Sequence, residues 1–476
     1  MRAFTVSELW LDEALSVNIA SLPLGELRGA LMRDGSPPLY YFLLHLWMKV
    51  FGSGDVAARA LSTVFSLAAL PLMWVVARRH AGRELAVAAL LLLASSPFAI
   101  RYGSEARMYA LVSLLALLAY LAIRSALDRP TWSRLLAVTL LAAALALTHY
   151  WTLYALALAG VILVVKAARG GGRSCALVLG ALATGGILFL PWLPTFLYQV
   201  THTGTPWAGI AVPTILVTAF DQWAGGFSGT APFLALMLLG LVALGLFGRS
   251  ARDGRVVLGF PPEPRASVFA LVTFGTLALA VVGGAITQTG FSERYTAVIF
   301  PFFILMAACG VTLLENRRIR TWVLAAVVVL GLIGGGVAVF RHRTQAGEIA
   351  RTIALGGGAG DVVAYCPDQL GPAVDRLLPP EMHQMVFPAG GTPEFVDWVD
   401  YEERNEAADP VAFAHALDEA SPGSNVWLVT APGYKTFGMK CERLAEALGR
   451  LRVRTTVVWE KPSYFEGATL IRYDPR

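Results

Sequence analysis

Residues 85–124 read LAVAALLLLASSPFAIRYGSEARMYALVSLLALLAYLAIR. Two apolar runs, each close to the length that crosses a hydrocarbon core of about 30 Å, flank a short polar joint holding Arg101, Glu105 and Arg107. A water-soluble fold has no use for such runs, and the pattern recurs along the chain. Of 476 residues, 56% are hydrophobic and 15% charged, with a mean hydropathy of +0.59, whereas soluble domains are about a quarter charged. These values exclude a disordered chain and a purely cytosolic enzyme. They predict a polytopic α-helical membrane protein, in which the net charge of +5 matters less than the side the charges face.

Ten segments have the required character: 57–79, 85–101, 107–124, 134–149, 150–167, 175–193, 231–248, 267–287, 295–314 and 321–340. One set of connecting loops carries Arg78, Arg79, Arg83, Arg124, Arg129, Arg134, Lys166, Arg169, Arg173, Arg249, Arg252, Arg255, Arg265, Arg317, Arg318 and Arg320. The short loops of the opposite parity hold only Arg101, Arg107 and Arg294. By the positive-inside bias the first set is cytoplasmic. Residues 1–56, the loops near 101–107, 149, 194–230 and 288–294, and everything after 341 are then expected outside. Because residues 1–56 lie outside with no apolar span before them, a first helix is expected upstream of this sequence. Within them, Phe42–Phe51 has the length of an interfacial segment.

The domain reading follows: 1–340 as a transmembrane catalytic domain with first outer loop 1–56, and 341–476 as a small extracytoplasmic α/β domain. In the latter Asp361–Cys366, Asn425–Ala431 and Val453–Glu460 read as strands, and Val411–Ala420 and Cys441–Leu448 as amphipathic helices. It contains no G-x-G-x-x-G run, which argues against a nucleotide site, and nothing points to nucleic acid. Cys175 and Cys309 fall in apolar stretches; Cys366 and Cys441 fall in the polar region, where a disulfide is open to them.

Ionisable groups close to a bilayer are costly and therefore informative. Here they gather on the expected outer side in four clusters. The first is Trp10-Leu11-Asp12-Glu13-Ala14, followed by Asp34-Gly35-Ser36-Pro37-Pro38-Leu39-Tyr40-Tyr41. Adjacent carboxylates on a helical turn point apart, so one can face a cavity while the other braces it. The second is Arg101-Tyr102-Gly103-Ser104-Glu105-Ala106-Arg107-Met108-Tyr109, where guanidinium groups suit either Glu105 or a phosphate. The others are Thr148-His149-Tyr150-Trp151 and Ser292-Glu293-Arg294-Tyr295, while Asp221 stands alone. A carboxylate pair facing arginines suits transfer from a phosphate-linked donor, which outside the cytoplasm has to be carried on a lipid.

At these residues the chain resembles the GT-C superfamily of membrane glycosyltransferases. It is most similar to glycosyltransferase family 39, the branch of protein O-mannosyltransferases and aminoarabinose transferases. The matching pieces are Trp10-x-Asp12-Glu13-Ala14, Asp34-x-x-Pro37-Pro38-Leu39-Tyr40-Tyr41, Glu105-Ala106-Arg107-x-Tyr109, Thr148-His149-Tyr150 and Arg294-Tyr295, in that order within 7–315. The resemblance implies the GT-C fold of about 10–11 transmembrane helices in a bacterial plasma membrane. It also implies a polyprenyl-phosphate sugar donor, an inverting transfer of mannose or an arabinose-like sugar, and a glycan, lipid or protein acceptor. Asp12 is then the general base, with Glu13, Asp34, Glu105, Arg107, Tyr109, His149, Arg294 and Tyr295 as substrate-binding residues. No cofactor is firmly implied: many relatives place a His where this chain has Ser36, which removes one ligand for a divalent metal. A lipid or lipid-linked sugar flippase is the alternative. It predicts charges along a midplane path and repeated helices, neither of which is visible. A scaffold that has lost its activity is a third reading, against which the retained Asp12-Glu13 pair counts.

Overall fold

The computed structural model describes residues 1–170, 172–203, 212–226, 228–250, 256–287, 291–388, 391–431, 437–461 and 463–476. Three short helices come first: α1 (Leu11–Ser21), α2 (Leu24–Asp34) and α3 (Leu39–Phe51). The membrane bundle follows as α4 (Asp55–Ser95), α5 (Pro97–Gly103), α6 (Tyr109–Asp128), α7 (Trp132–Thr148), α8 (Thr152–Ala168), α9 (Gly172–Phe189) and α10 (Leu193–His202). It continues with α11 (Val212–Trp223), α12 (Ala231–Phe247), α13 (Pro264–Thr287), α14 (Phe300–Thr312) and α15 (Arg317–Phe340). Five helical stretches, Asp55–Ser95, Tyr109–Asp128, Gly172–His202, Pro264–Ile286 and Arg317–Phe340, are long and apolar enough to cross a membrane. The helices α7, α8, α12 and α14 are apolar but shorter. The chain is a multi-pass membrane protein.

As a straight rod the 41 residues of α4 would reach roughly 60 Å, about twice the hydrocarbon core. The helix instead breaks at Ala81 and Gly82, whose φ of +85° favours glycine. Its two arms run side by side in opposite senses, so that Thr63 Oγ1 donates to Gly103 O at 3.0 Å and Ser66 Oγ to Ala99 O at 3.3 Å. These arms are the segments read as 57–79 and 85–101. The second differs from that reading in stopping at Ser95, because Pro97 cannot donate to the helical ladder and Ser96 caps a new short helix through Ala99 N. The segment read as 295–314 likewise opens as a 3₁₀ turn over Glu293–Val298 and becomes α-helical only at Phe300.

Close backbone approach holds the bundle together. A Cβ on Gly310 of α14 would stand 1.9 Å from Leu241 O of α12, and one on Gly245 would stand 2.5 Å from Met306 O. These small residues let the two helices touch along their backbones, as membrane helix pairs require. Gly310→Ala is therefore expected to destabilise the bundle by at least about 1–3 kcal/mol, visible as a lower fraction of monodisperse protein after heating in detergent. An unchanged elution profile would contradict this packing.

At one end of the bundle lie the basic loops. There His80 Nε2 is 2.7 Å from Arg265 O, and Arg320 pairs with Glu84 at 2.8 Å. Between α12 and α13 a small hairpin of β1 (Gly248–Ser250) and β2 (Val256–Leu258), absent from the sequence reading, occupies the same end. Arg252 and Arg255, read as part of this basic set, lie outside the described residues.

After α15 comes a five-stranded sheet of β3 (Val362–Cys366), β4 (His383–Val386), β5 (Val426–Thr430), β6 (Val453–Val458) and β7 (Thr469–Asp474). The strand order is β4-β3-β5-β7-β6, with β3 parallel to β4 and β5, and β7 antiparallel to β5 and β6. Every residue of β3 and β5 is buried, because helices cover both faces. Val363, Tyr365, Trp427 and Val429 pack with α16 (Ala346–Gly356) and α17 (Gly371–Asp375). Val362, Ala364, Val426 and Leu428 pack on the other side with α19 (Pro410–Ala420) and α20 (Lys440–Leu451), and a short α18 (Tyr401–Ala407) precedes α19. Cys366 and Cys441 form a disulfide, while Cys175 and Cys309 are free and buried. Trp10, Leu11 and Leu15 of the first outer segment join the core of this domain, so α1 is wedged between the sheet domain and the bundle.

Candidate active site

Asp12 and Glu13 occupy the first turn of α1, where the partial positive charge of the helix start favours carboxylates. Successive side chains on a helix diverge by about 100°, and the two carboxylates have separate surroundings. Glu13 is wholly buried in the bundle. Arg59 Nε donates to its Oε1 at 2.7 Å and Arg59 Nη2 to its Oε2 at 2.6 Å, while Ala106 N donates to Oε1 at 2.9 Å. Burial pushes the Glu13 carboxyl up, but the Arg59 guanidinium, helped by Arg343 and the Ala106 N–H, overrides it and holds the group below the usual carboxylate range. Both oxygens are thus engaged away from any substrate.

Asp12 turns the other way. Its Oδ2 pairs with Arg294 Nη1 and lies 3.9 Å from Arg107 Nη2. Arg107 Nη1 is fixed by Asp12 O at 3.3 Å, Ser16 Oγ at 3.1 Å and Tyr41 Oη at 3.2 Å. The Nε atoms of both arginines are buried without a partner, as are Tyr109 Oη and Trp10 Nε1. Trp10 lies beneath the Arg294 guanidinium, 5.7 Å from it, and Tyr109 is 6.0 Å from that of Arg107. The ring of His149 stands 5.8 Å from Tyr109 and 5.0 Å from Tyr295. Asp12, Arg107, Tyr109, His149, Arg294 and Tyr295 therefore come together from four distant stretches of chain.

Asp34 belongs to the outer margin of this cluster. Tyr41 Oη donates to its Oδ2 at 2.9 Å, which links it through Tyr41 to Arg107. Burial pushes the Asp34 carboxyl up against the opposing pull of Arg107, and Ser36 faces the same group. Among the described residues, no three His, Cys, Asp or Glu side chains gather as metal ligands. Glu105 is fully buried beside Glu13 rather than beside Asp12, 3.8 Å from Arg101 and 3.3 Å from Arg343.

Three participants are absent from the sequence reading. Arg59 sits one turn into α4, where it passes for an interfacial charge. Arg343 follows the last span, where a basic residue passes for an anchor, yet it lies 3.6 Å from Glu13 and donates to Ser104 Oγ at 3.2 Å. Glu466, between β6 and β7, faces Leu11 N–H, the Thr344 hydroxyl and the charge of Asp12. Only Arg59 left a trace in sequence: an arginine within an apolar run on the side otherwise poor in basic residues.

A family model described as dolichyl-phosphate-mannose-protein mannosyltransferase matches residues 35–195. Two solved structures of ArnT from Cupriavidus metallidurans resemble the chain over nearly its whole length. The apo form is 13% identical, covering 98% of this chain and 95% of that one, with a TM-score of 0.57. The form bound to undecaprenyl phosphate has the same identity and coverage and a TM-score of 0.59. No curated protein matches by sequence. At 13% identity the structural likeness speaks for the fold, and the fold is that of GT-C membrane glycosyltransferases, completed by a C-terminal sheet domain.

Proposed function

We propose that this GT-C membrane glycosyltransferase moves a sugar, mannose or an arabinose-like unit, from a polyprenyl-phosphate donor to a hydroxyl of a glycan, lipid or protein. The transfer takes place on the extracytoplasmic face, with inversion, and Asp12 is the general base. The observation that carries this reading is one carboxylate flanked by two buried guanidinium groups, each keeping an unpartnered Nε–H. Guanidinium groups with donors in reserve suit phosphate oxygens, and a carboxylate between them suits an incoming hydroxyl. The family match over 35–195 supports a lipid-phosphate sugar donor, as does the undecaprenyl phosphate bound by ArnT.

In the proposed step the acceptor hydroxyl gives its proton to Asp12 as its oxygen bonds to the anomeric carbon. The bond from that carbon to the phosphate oxygen breaks, and lipid phosphate leaves with the electron pair. Arg294 and Arg107 stabilise the charge that grows on the departing phosphate. A double displacement needs a second free carboxylate as nucleophile. Glu13 is spent on Arg59 and Ala106, and Asp34 is tied to Tyr41, which favours a single displacement and inversion. Two features support an extracytoplasmic site: the basic loops occupy the other end of the bundle, and Cys366–Cys441 is the kind of bond that persists in oxidising compartments.

Purified protein offered a panel of polyprenyl-phosphate sugars is expected to release polyprenyl phosphate and label a cell-envelope acceptor. Movement of intact lipid-linked sugar across a bilayer without cleavage would overturn the proposal in favour of a flippase. Within the same assay, Arg294→Lys should raise the donor KM by about tenfold, because an ammonium point charge replaces a planar fork on the phosphate. An unchanged donor KM would remove Arg294 from the donor site.

A further inference from the structure

The helix that carries Asp12 starts without a side-chain cap of its own. Trp10, at its N-cap, has no oxygen to offer; its backbone carbonyl accepts Glu13 N and Ala14 N, both at 2.9 Å. The N–H groups of Leu11 and Asp12 are the remaining ones of the first turn, and an uncapped start so close to a reacting carboxylate leaves its position loosely determined. What meets this helix start is the β6–β7 connection of the sheet domain. The Glu466 carboxyl faces Leu11 N–H and the Thr344 hydroxyl, and its Oε2 is buried without a partner. Phe465 meets the Trp10 ring edge to face at 5.1 Å and 89°.

That connection is itself anchored. Glu466 N donates to Arg343 O at 2.7 Å and Gln345 N to Glu466 O at 3.1 Å, which sews it to the strip of chain following α15. Arg343 from this strip reaches inward to Glu13 and Glu105. The Asp12-Glu13 pair is therefore gripped from the sheet domain twice, at the helix start by Glu466 and behind Glu13 by Arg343.

We infer that Glu466 is a positioning residue for the transfer reaction, capping α1 from the C-terminal domain and so setting where the Asp12 carboxylate meets the acceptor hydroxyl. The inference rests on the reading of Asp12 as the general base. It makes the sheet domain part of the catalytic apparatus rather than a cover over it. Burial pushes the Glu466 carboxyl up to about 8, and the charge of Asp12 adds to the rise, in keeping with a group that has exchanged water for a helix start. A protonated Glu466 keeps an oxygen for Leu11 N–H, so the amide of glutamine can replace it.

The test compares Glu466→Ala, Glu466→Gln and Asp12→Asn in the full-length protein, each checked for monodisperse elution and assayed for sugar transfer from a polyprenyl-phosphate sugar. Glu466→Ala should lower kcat by about tenfold to a hundredfold, since a misplacement of about an ångström has that effect. The donor KM should stay within about twofold, because Arg107 and Arg294 are untouched. Glu466→Gln should recover most of the lost kcat. A residue needed only for folding would change the yield of folded protein and leave this split, and the rescue, unseen. If Asp12→Asn is inactive while Glu466→Ala transfers at the wild-type rate, or if alanine and glutamine are equally impaired, the positioning role is wrong and the base stands. If Asp12→Asn transfers normally, the base assignment fails and this inference with it.

Discussion

Asp12→Asn is expected to lower kcat for sugar transfer by about two to four orders of magnitude, the range lost with a general base. Asparagine keeps the shape of the side chain and an oxygen for Arg294, but it cannot take the proton of an attacking hydroxyl. The donor KM should not rise with it. In the free protein Arg294 Nη1 is committed to Asp12 Oδ2, so a donor phosphate must compete with that carboxylate for the guanidinium. With the charge of residue 12 removed, both arginines are freer to hold phosphate, and donor affinity should hold or improve. A fall in kcat with an unraised donor KM is the signature of an interaction made in the transition state rather than in binding. Transfer at the wild-type rate would show that another group accepts the proton. A fall in kcat together with a large rise in donor KM would make Asp12 part of the donor site instead.

Much of this site is visible in the sequence because charge is rare there. In a chain with 15% charged residues, Asp12, Arg107 and Arg294 stand out at the ends of apolar runs, and side assignment puts them together although Asp12 and Arg294 are 282 residues apart. The strands Val362–Cys366 and Val426–Thr430 are equally legible, being short apolar runs bounded by turn residues. What escapes is whatever depends on tertiary pairing. Glu13 reads as a substrate ligand until Arg59 and Ala106 are seen to take both its oxygens. Arg343 and Glu466 carry no local signal, since one resembles a membrane anchor and the other an ordinary loop carboxylate. The strand His383–Val386 is also silent, because four residues with two polar side chains set no period. The disulfide shows the same limit: sequence offers Cys366 and Cys441 as partners, but only the fold brings the end of β3 to α20.

The second large effect concerns stability. Glu13→Ala should destabilise the folded protein by about 3–5 kcal/mol, the usual consequence of leaving one member of a buried ion pair alone. The pair is strong in geometry, with two Arg59 nitrogens on two Glu13 oxygens, and neither side chain has water to fall back on. Removing the carboxylate also strands Ala106 N and leaves Arg343 with Glu105 alone. The measurement is the half-life of monodisperse protein in detergent at a fixed temperature, for wild type and variant, across pH. Because the folded state holds Glu13 below its usual range, the carboxylate contributes fully above its unfolded value of about 4.3. That contribution is lost as pH falls through the depressed folded value. The gap between wild type and Glu13→Ala should therefore be widest near neutral pH and narrow in acid. Asp34 and Glu105, which burial pushes the other way, are common to both proteins and cancel in the comparison. Adding Arg59→Met to Glu13→Ala should recover part of the loss, since an apolar side chain of similar length replaces a stranded buried charge. If the double variant is instead as unstable as the two single losses added together, the two residues act independently, and the brace behind Asp12 must be sought in Arg343 and Glu105.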